Sequence, residues 1–201
     1  MYVKANVLYS VKDEDLKLLK NNPEKFWEGV EVIGPCAFMG ARLVHLDIPE
    51  SIEKICDEAF YNCMFLRTIN LPKSINFIGK RAFMLCQLLT EIEIPEGVKT
   101  LHSTFAGCEA LKKVKLPKDL DSVGTDTFSY CNKLTDIEFP EGCEVSRKAF
   151  DGCPKLYAKC FPVKQTKIRK DSYSAMYRQR RKEAQQQKSI FDIWSEEENS
   201  L

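Results

Sequence analysis

The sequence has few groups that could carry catalysis. Only two histidines, His45 and His102, occur among its 201 residues, and they fall too far apart in the repeat described below to share a site. The P-loop pattern G-x-x-x-x-G-K-[ST], the dinucleotide pattern G-x-G-x-x-G and the zinc-protease pattern H-E-x-x-H are absent. Because acid–base and nucleophilic catalysis need such groups side by side, we expect a protein that is not an enzyme and needs no cofactor.

Long apolar runs are also missing. No stretch approaches the roughly 18 apolar residues of a membrane-spanning helix. The N-terminal residues lack the apolar run of a signal peptide, because Asp13, Glu14 and Asp15 interrupt it. A net charge of only +1 gives no reason to expect nucleic acid as a partner. We therefore expect a protein of the cytoplasm, the nucleus or both, without a membrane span.

A repeat with a period of about 22 or 23 residues organises the chain. Its pattern is I-x-x-I-(G)-x-x-(A)-F-x-x-C-x-x-L-x-x-I-x-I-P. The clearest copies are SIEKICDEAFYNCMFLRTINLP from Ser51, SINFIGKRAFMLCQLLTEIEIP from Ser74, GVKTLHSTFAGCEALKKVKLP from Gly97 and DLDSVGTDTFSYCNKLTDIEFP from Asp119. A first copy from Gly29 has lost one residue, so that Gly40 or Ala41 stands near the expected cysteine, and a last copy from Gly142 fades after Leu156.

Each position of the repeat has a physical role. The run L-x-x-I-x-I alternates as a short strand whose side chains point inward and outward in turn. A proline ends each strand because it lacks the N–H that pairing needs. Two columns should stack into apolar ladders, which are Phe38, Phe60, Phe83, Phe105, Phe128 and Phe150, and Leu43, Leu66, Leu89, Leu111, Leu134 and Leu156.

The repeat resembles the BspA-like class of leucine-rich repeats, whose signature contains A-F-x-x-C-x-x-L-x-x-I-x-I-P. The resemblance covers residues 29–161. It implies a solenoid of about six coils with short parallel strands on its concave face. It also implies recognition of proteins or surfaces, without a shared catalytic activity.

The two ends of the chain differ from the repeat. Residues 1–28 read as a strand from Tyr2 to Tyr9 and a helix from about Asp13 to Lys20, with the acidic start that the helix dipole favours. We interpret them as an N-terminal cap. Residues 162–201 are polar and charged, and we expect a helical or disordered tail.

One cysteine per coil occupies the same repeat position, at Cys63, Cys86, Cys108, Cys131 and Cys153. Neighbouring coils should lie about 4.8 Å apart, which places these sulfurs on a line. Structural zinc needs four ligands at tetrahedral corners, and no C-x-x-C pair occurs. We expect small buried hydrophobic side chains and no metal site.

The outward positions of the strands are the predicted binding surface. From coil to coil they are His45 and Asp47, Thr68 and Asn70, Glu91 and Glu93, Lys113 and Lys115, and Asp136 and Glu138. The charge changes sign between the last three coils, so these side chains could pair with one another. The surface is therefore either a docking site for a protein of mixed charge or a self-satisfied solvated face.

A short motif inside the repeat offers an alternative. Lys73, Ile75 and Phe77 match the K-x-[VI]-x-F pattern by which regulatory subunits dock on protein phosphatase 1. Docking of this kind needs an extended, accessible strand. The hypothesis of a phosphatase regulatory subunit therefore depends on the exposure of Ile75 and Phe77.

The tail contains two further candidate binding elements. A basic stretch around Arg178, Arg180 and Arg181 is compatible with a nuclear-import signal, a nucleic-acid patch, a membrane-surface helix or a solvated helix packed on the last coil. Beyond it, apolar side chains interrupt a polar segment. Gln187, Ile190, Ile193 and Trp194 are similar to the peptide that docks on replication sliding clamps, and Phe191 adds a further aromatic anchor.

We interpret the chain as an intracellular protein–protein interaction scaffold that uses its solenoid surface and a tail peptide. A phosphatase regulatory subunit and a surface adhesin are the alternatives, and the adhesin would need an export route. Stacking of two molecules through the solenoid ends would give a homo-oligomer.

Overall fold

The computed structural model describes residues 1–153 and 156–157, and its first elements form the predicted N-terminal cap. Strands β1 (Tyr2–Lys4) and β2 (Val7–Ser10) form an antiparallel hairpin. Helices α1 (Asp13–Asn21) and α2 (Pro23–Trp27) follow. The strand-and-helix cap is confirmed, but the single strand predicted over residues 2–9 is a hairpin, and the second helix was not predicted.

Local chemistry explains both differences. Ala5 and Asn6 have φ angles of 49° and 63°, and two successive left-handed residues make the tight turn whose twist matches a hairpin. Helix α2 starts with Pro23, whose fixed φ suits a first helical position. The side chain of Asn22 caps this helix by accepting a hydrogen bond from the Lys25 N–H at 3.1 Å.

Each of the first five coils that follow contributes two short strands, and the described part of the last coil contributes one. The first strand of each coil belongs to a series that we call the rear ladder: β3 (Val32–Ile33), β5 (Lys54–Ile55), β7 (Phe77–Ile78), β9 (Thr100–Leu101), β11 (Ser122–Val123) and β13 (Glu144–Val145). The second strand belongs to the front ladder: β4 (His45–Asp47), β6 (Thr68–Asn70), β8 (Glu91–Glu93), β10 (Lys113–Lys115) and β12 (Asp136–Ile137). A 3-10 helix at Arg147–Phe150 occupies the last coil.

The front ladder contains the predicted strands, and its pairing is parallel. It comprises two hydrogen-bonded groups, β4 with β6 and β8 with β10 and β12. The rear ladder was not predicted, because strands of two residues are too short to show alternation. It begins in the cap, where β2 pairs in parallel with β3. The predicted solenoid of short parallel strands is therefore confirmed.

The predicted phenylalanine ladder forms the centre of the core. All six rings are at most 1% exposed, and successive ring centroids lie between 5.0 Å and 6.0 Å apart. Their planes deviate by 13° or less, so the rings stack. The leucine column is buried beside them. Each coil thus buries its apolar side chains against its neighbours.

The cap closes the first end of this ladder. Phe26 and Trp27 of α2 are buried, and their ring centroids lie 6.1 Å and 6.0 Å from that of Phe38. Helix α2 therefore supplies the aromatic contacts that a preceding coil would otherwise provide.

A second repeated feature is a left-handed residue two positions after each phenylalanine. In the first five coils its N–H donates to a carbonyl of the next coil, as in Gly107 to Ser129 at 2.7 Å and Leu85 to Ala106 at 2.8 Å. The six residues at this position are Gly40, Asn62, Leu85, Gly107, Tyr130 and Gly152. Glycine and asparagine adopt it readily, which accounts for four of the six.

Replacing one ring of the ladder should lower the free energy of unfolding strongly. Phe83 stacks on both sides, at 5.2 Å and 5.6 Å, so Phe83→Ala should cost about 3 to 5 kcal/mol by removing a fully buried ring. Phe77 is 45% exposed, and Phe77→Ala should cost less than about 0.5 kcal/mol. Urea denaturation followed by circular dichroism measures both, and equal losses would contradict the ladder's role.

Candidate protein-binding surface

The ten predicted surface residues do lie on one side of the front ladder. Nine of them are exposed and Thr68 is half-buried. The alternating residues between them, Leu46, Ile69, Ile92, Val114 and Ile137, are at most 5% exposed and belong to the core. The alternation predicted from the sequence therefore produces one polar surface, which we call the front face.

At its N-terminal end the front face contains a hydrogen-bonded polar cluster. His45 Nδ1 lies 2.6 Å from Thr68 Oγ1, and His45 Nε2 lies 2.9 Å from Asp47 Oδ2. Asn70 Nδ2 donates to Asp47 Oδ1 at 2.5 Å. These hydrogen bonds, first from His45 and then from Asn70, lower the pKa of Asp47. The Asp47 carboxylate is therefore already engaged within the face.

The C-terminal end of the front face contains ion pairs between coils. Lys115 Nζ lies 2.5 Å from Glu93 Oε1, and this hydrogen bond raises the pKa of Lys115. Lys113 Nζ lies 3.6 Å from Asp136 Oδ2. All four side chains are more than half exposed, so water and salt weaken both pairs. A charged partner could replace them at little cost.

A groove between the cap and the first coil adjoins the front face, and no pattern in the sequence predicted it. It has a volume of about 590 Å³. One wall comes from α1 and Pro23, and the other from β4 and the residues before it. The lining residues are Leu16, Leu19, Lys20, Pro23, Arg42, Leu43, Val44, His45, Leu46 and Asp47. Because the two walls are distant in sequence, only the folded chain brings them together.

The proposed phosphatase motif is not presented as an accessible strand. Ile75 has no exposed surface, whereas Phe77 is 45% exposed on β7 of the rear ladder. Lys73 is exposed beside the buried Pro72. Because Ile75 packs in the core, it cannot enter a pocket on a phosphatase unless the coil opens. The structure therefore argues against docking through Lys73, Ile75 and Phe77 in the folded chain.

The five aligned cysteines are buried, as predicted, and they also have a hydrogen-bonding role that was not predicted. Each thiol lies within hydrogen-bond distance of the phenylalanine carbonyl of the preceding coil, with Sγ–O distances from 2.9 Å to 3.3 Å. Burial raises the pKa of Cys63 and of Cys153 to about 12 and the pKa of the other three well above the usual value. In the incomplete first copy, Ala41 occupies the cysteine position. Its N–H donates to Phe38 O, as the N–H of Cys63 donates to Phe60 O in the next coil.

The part of the chain that the structure describes contains neither a candidate metal site nor a candidate membrane-spanning helix. No group of three or more His, Cys, Asp or Glu side chains there could hold a metal ion. Within residues 1–153 and 156–157, no helix has the length and hydrophobicity that a bilayer span requires. The tail candidates Gln187, Ile190, Phe191, Ile193 and Trp194 lie outside the described residues.

The comparison with protein families assigns the repeat. The model of the BspA type leucine-rich repeat region matches residues 23–104 and 101–180 with six copies. The chain belongs to the BspA-type leucine-rich-repeat family. Proteins with these repeats generally act in protein interaction or at surfaces, and they are typically binding scaffolds without enzymatic activity. A comparison with curated proteins found no match.

Solved structures similar to this leucine-rich-repeat protein come from bacteria. A leucine-rich-repeat protein of T. pallidum is 29% identical, with 57% of each chain covered and a TM-score of 0.52. A leucine-rich-repeat protein of Bacteroides capillosus ATCC 29799 is 32% identical, with 43% of this chain and 63% of that chain covered and a TM-score of 0.41. The chain spans less than two thirds of the length of either protein.

Thiol labelling should separate the buried cysteines from the exposed one. Iodoacetamide reacts with thiolates, so at pH 9 in native buffer it should modify Cys36, which is exposed although partial burial and Glu58 raise its pKa, and spare the five aligned thiols. In denaturant all six should react. Mass spectrometry of tryptic peptides locates the label, and Cys36→Ser is the matched control. Native labelling of Cys86 or Cys108 at the rate of Cys36 would contradict the thiol-to-carbonyl arrangement.

Proposed function

We propose that this BspA-type leucine-rich-repeat protein is a non-enzymatic, intracellular protein-binding scaffold whose recognition surface is the front face. One observation carries the proposal: ten polar or charged side chains project from one side of a parallel ladder whose other side is the core. Because stacked phenylalanines fix the strands, little backbone freedom would be lost on binding. Affinity then depends mainly on complementarity with the partner.

The arrangement of charges favours a particular kind of partner. Acidic residues of β8 and β12 flank the lysines of β10, so the face presents both signs. The charged groups of a partner protein with a mixed charge pattern could form ion pairs with the front face in place of its two exposed internal pairs. A polyanion such as nucleic acid would meet repulsion on both sides of β10.

The intracellular part of the proposal rests on the thiols. All the cysteines that the structure describes are free, and the five aligned ones use S–H groups as donors, which requires the reduced form. Reduced thiols are typical of the cytoplasm and nucleus.

We also propose that the tail, through Phe191 and Trp194, supplies a second binding element that increases avidity. A sliding clamp is one candidate for that partner.

A charge-swap variant tests the front face without breaking its ion pair. The double variant Glu93→Lys, Lys115→Glu keeps opposite charges facing each other but reverses the pattern that a partner meets. The matched control, Glu58→Lys with Arg81→Glu, swaps an inter-coil pair with a 2.9 Å separation elsewhere on the surface. Full-length proteins are used as bait in source-cell lysate, and bound proteins are quantified by mass spectrometry.

We expect the front-face swap to reduce recovery of the main partner by about tenfold or more, since like charges would then face each other. The control swap should leave recovery unchanged. A separate variant, Phe191→Ala with Trp194→Ala, measures the contribution of the tail. If recovery survives the front-face swap and disappears with the tail variant, the recognition surface is the tail and the front-face proposal fails.

A further inference from the structure

The N-terminal cap protects the rear ladder and leaves the front ladder open. Strand β2 pairs with β3 and so covers the first edge of the rear ladder. The corresponding strand of the front ladder is β4, which pairs with β6 on one side. Within residues 1–153, no strand pairs with its other side. An open strand edge is a template for pairing with another chain.

The backbone of β4 shows which groups face this open edge. Val44 O accepts a hydrogen bond from Arg67 N–H at 2.8 Å, and Ile48 N–H donates to Asn70 O at 3.1 Å. In a parallel ladder, the N–H and C=O groups of one residue both point to the same neighbouring strand, and those of the next residue point to the opposite side. The N–H and C=O groups of His45 and Asp47 therefore point away from β6. No backbone hydrogen bond joins these groups to another described residue on that side.

The groove described above lies on this open side. Its floor and walls are mainly apolar, with Leu16 and Leu19 of α1 opposite Leu43 and Leu46 of the first coil. Val44 is 53% exposed at its margin. A volume of about 590 Å³ lies within the roughly 300 to 1,000 Å³ of pockets that bury most of a drug-sized ligand. The groove can therefore hold a short extended segment whose backbone faces β4.

The charges around the groove select the chemistry of the occupant. Lys20 and Arg42 provide two cations, and Lys20 has no ion pair with a described residue. Asp47 is the one carboxylate in the lining, and His45 and Asn70 already engage it. An occupant with carboxylates would complement this rim, and an occupant with lysines would not.

We propose that an extended peptide segment of a partner protein, with apolar residues alternating with aspartate or glutamate, adds as a strand to the open edge of β4. Side chains of a strand alternate between its two faces, so the apolar set enters the groove while the carboxylates meet Lys20 and Arg42. The site depends on the backbone of β4 and on the groove, not on the charge pattern of β8 and β10. Either proposal can therefore fail while the other stands.

The test uses the full chain and a fluorescein-labelled eight-residue peptide in which aspartate alternates with leucine or valine, followed by fluorescence anisotropy. Two matched peptides separate the contributions. One carries N-methyl groups on the backbone nitrogens of every second residue, which blocks strand pairing but keeps the side chains. The other has lysine in place of aspartate. Both should bind at least about tenfold more weakly, because backbone hydrogen bonds and rim charges carry the interaction.

Protein variants locate the site. Val44→Asp and Lys20→Glu should each weaken binding about tenfold. Two matched changes on the rear ladder, Phe77→Asp and Lys54→Glu, should leave it unchanged, as should the front-face swap of Glu93 and Lys115. Equal binding of the N-methylated peptide, equal loss with the rear-ladder variants, or the absence of peptide binding would overturn the proposal. So would sedimentation showing that a second copy of the chain occupies the groove, as a dimer abolished by Val44→Asp.

Discussion

The structure depends on one repeated contact, between the phenylalanine of a coil and the coil that follows it. The contact has three parts, shown by Phe60. Its ring stacks on Phe83 at 5.2 Å, its N–H donates to Ala82 O at 2.8 Å, and its carbonyl lies 3.3 Å from the thiol of Cys86. All three require the next coil, so an isolated coil could not form them. Stability is therefore a property of neighbouring pairs of coils.

The same dependence determines what the N-terminal cap must do. The first coil has no predecessor, so α2 packs Phe26 and Trp27 on Phe38, and β2 continues the rear ladder. The cap does not continue the front ladder. The front edge and the front face are thus the backbone and side-chain surfaces that we propose for binding another protein, and the stacked core fixes the position of both.

Features that repeat were predictable from the sequence, because equivalent positions reinforce one another. The phenylalanine, leucine and cysteine columns and the alternating strands belong to this group. The left-handed position after each phenylalanine was visible only in part, since Gly40, Asn62, Gly107 and Gly152 suggest it but Leu85 and Tyr130 do not. The rear ladder escaped prediction because two residues cannot show alternation.

Features that occur once were not predictable in the same way. The turn at Ala5 and Asn6 lacks the glycine that commonly marks such hairpins, and the aromatic contacts of α2 need the cap and first coil to meet. The groove beside β4 likewise forms only where the cap helices pack beside the first coil. The burial of Ile75 beside an exposed Phe77 follows from their positions in the repeat. This burial explains why a short motif can match a docking pattern without being available.

The most direct test of the central contact is native-state hydrogen exchange at the phenylalanine amides. The amides of Phe38, Phe60, Phe83, Phe105 and Phe128 all donate to the following coil. Because neighbouring coils interlock, we expect the amides of the inner coils, Phe60, Phe83 and Phe105, to exchange with one shared free energy close to that of global unfolding. If any inner amide exchanged as fast as an unprotected peptide, or if one inner coil opened alone while its neighbours stayed protected, the coils would not be interlocked as described.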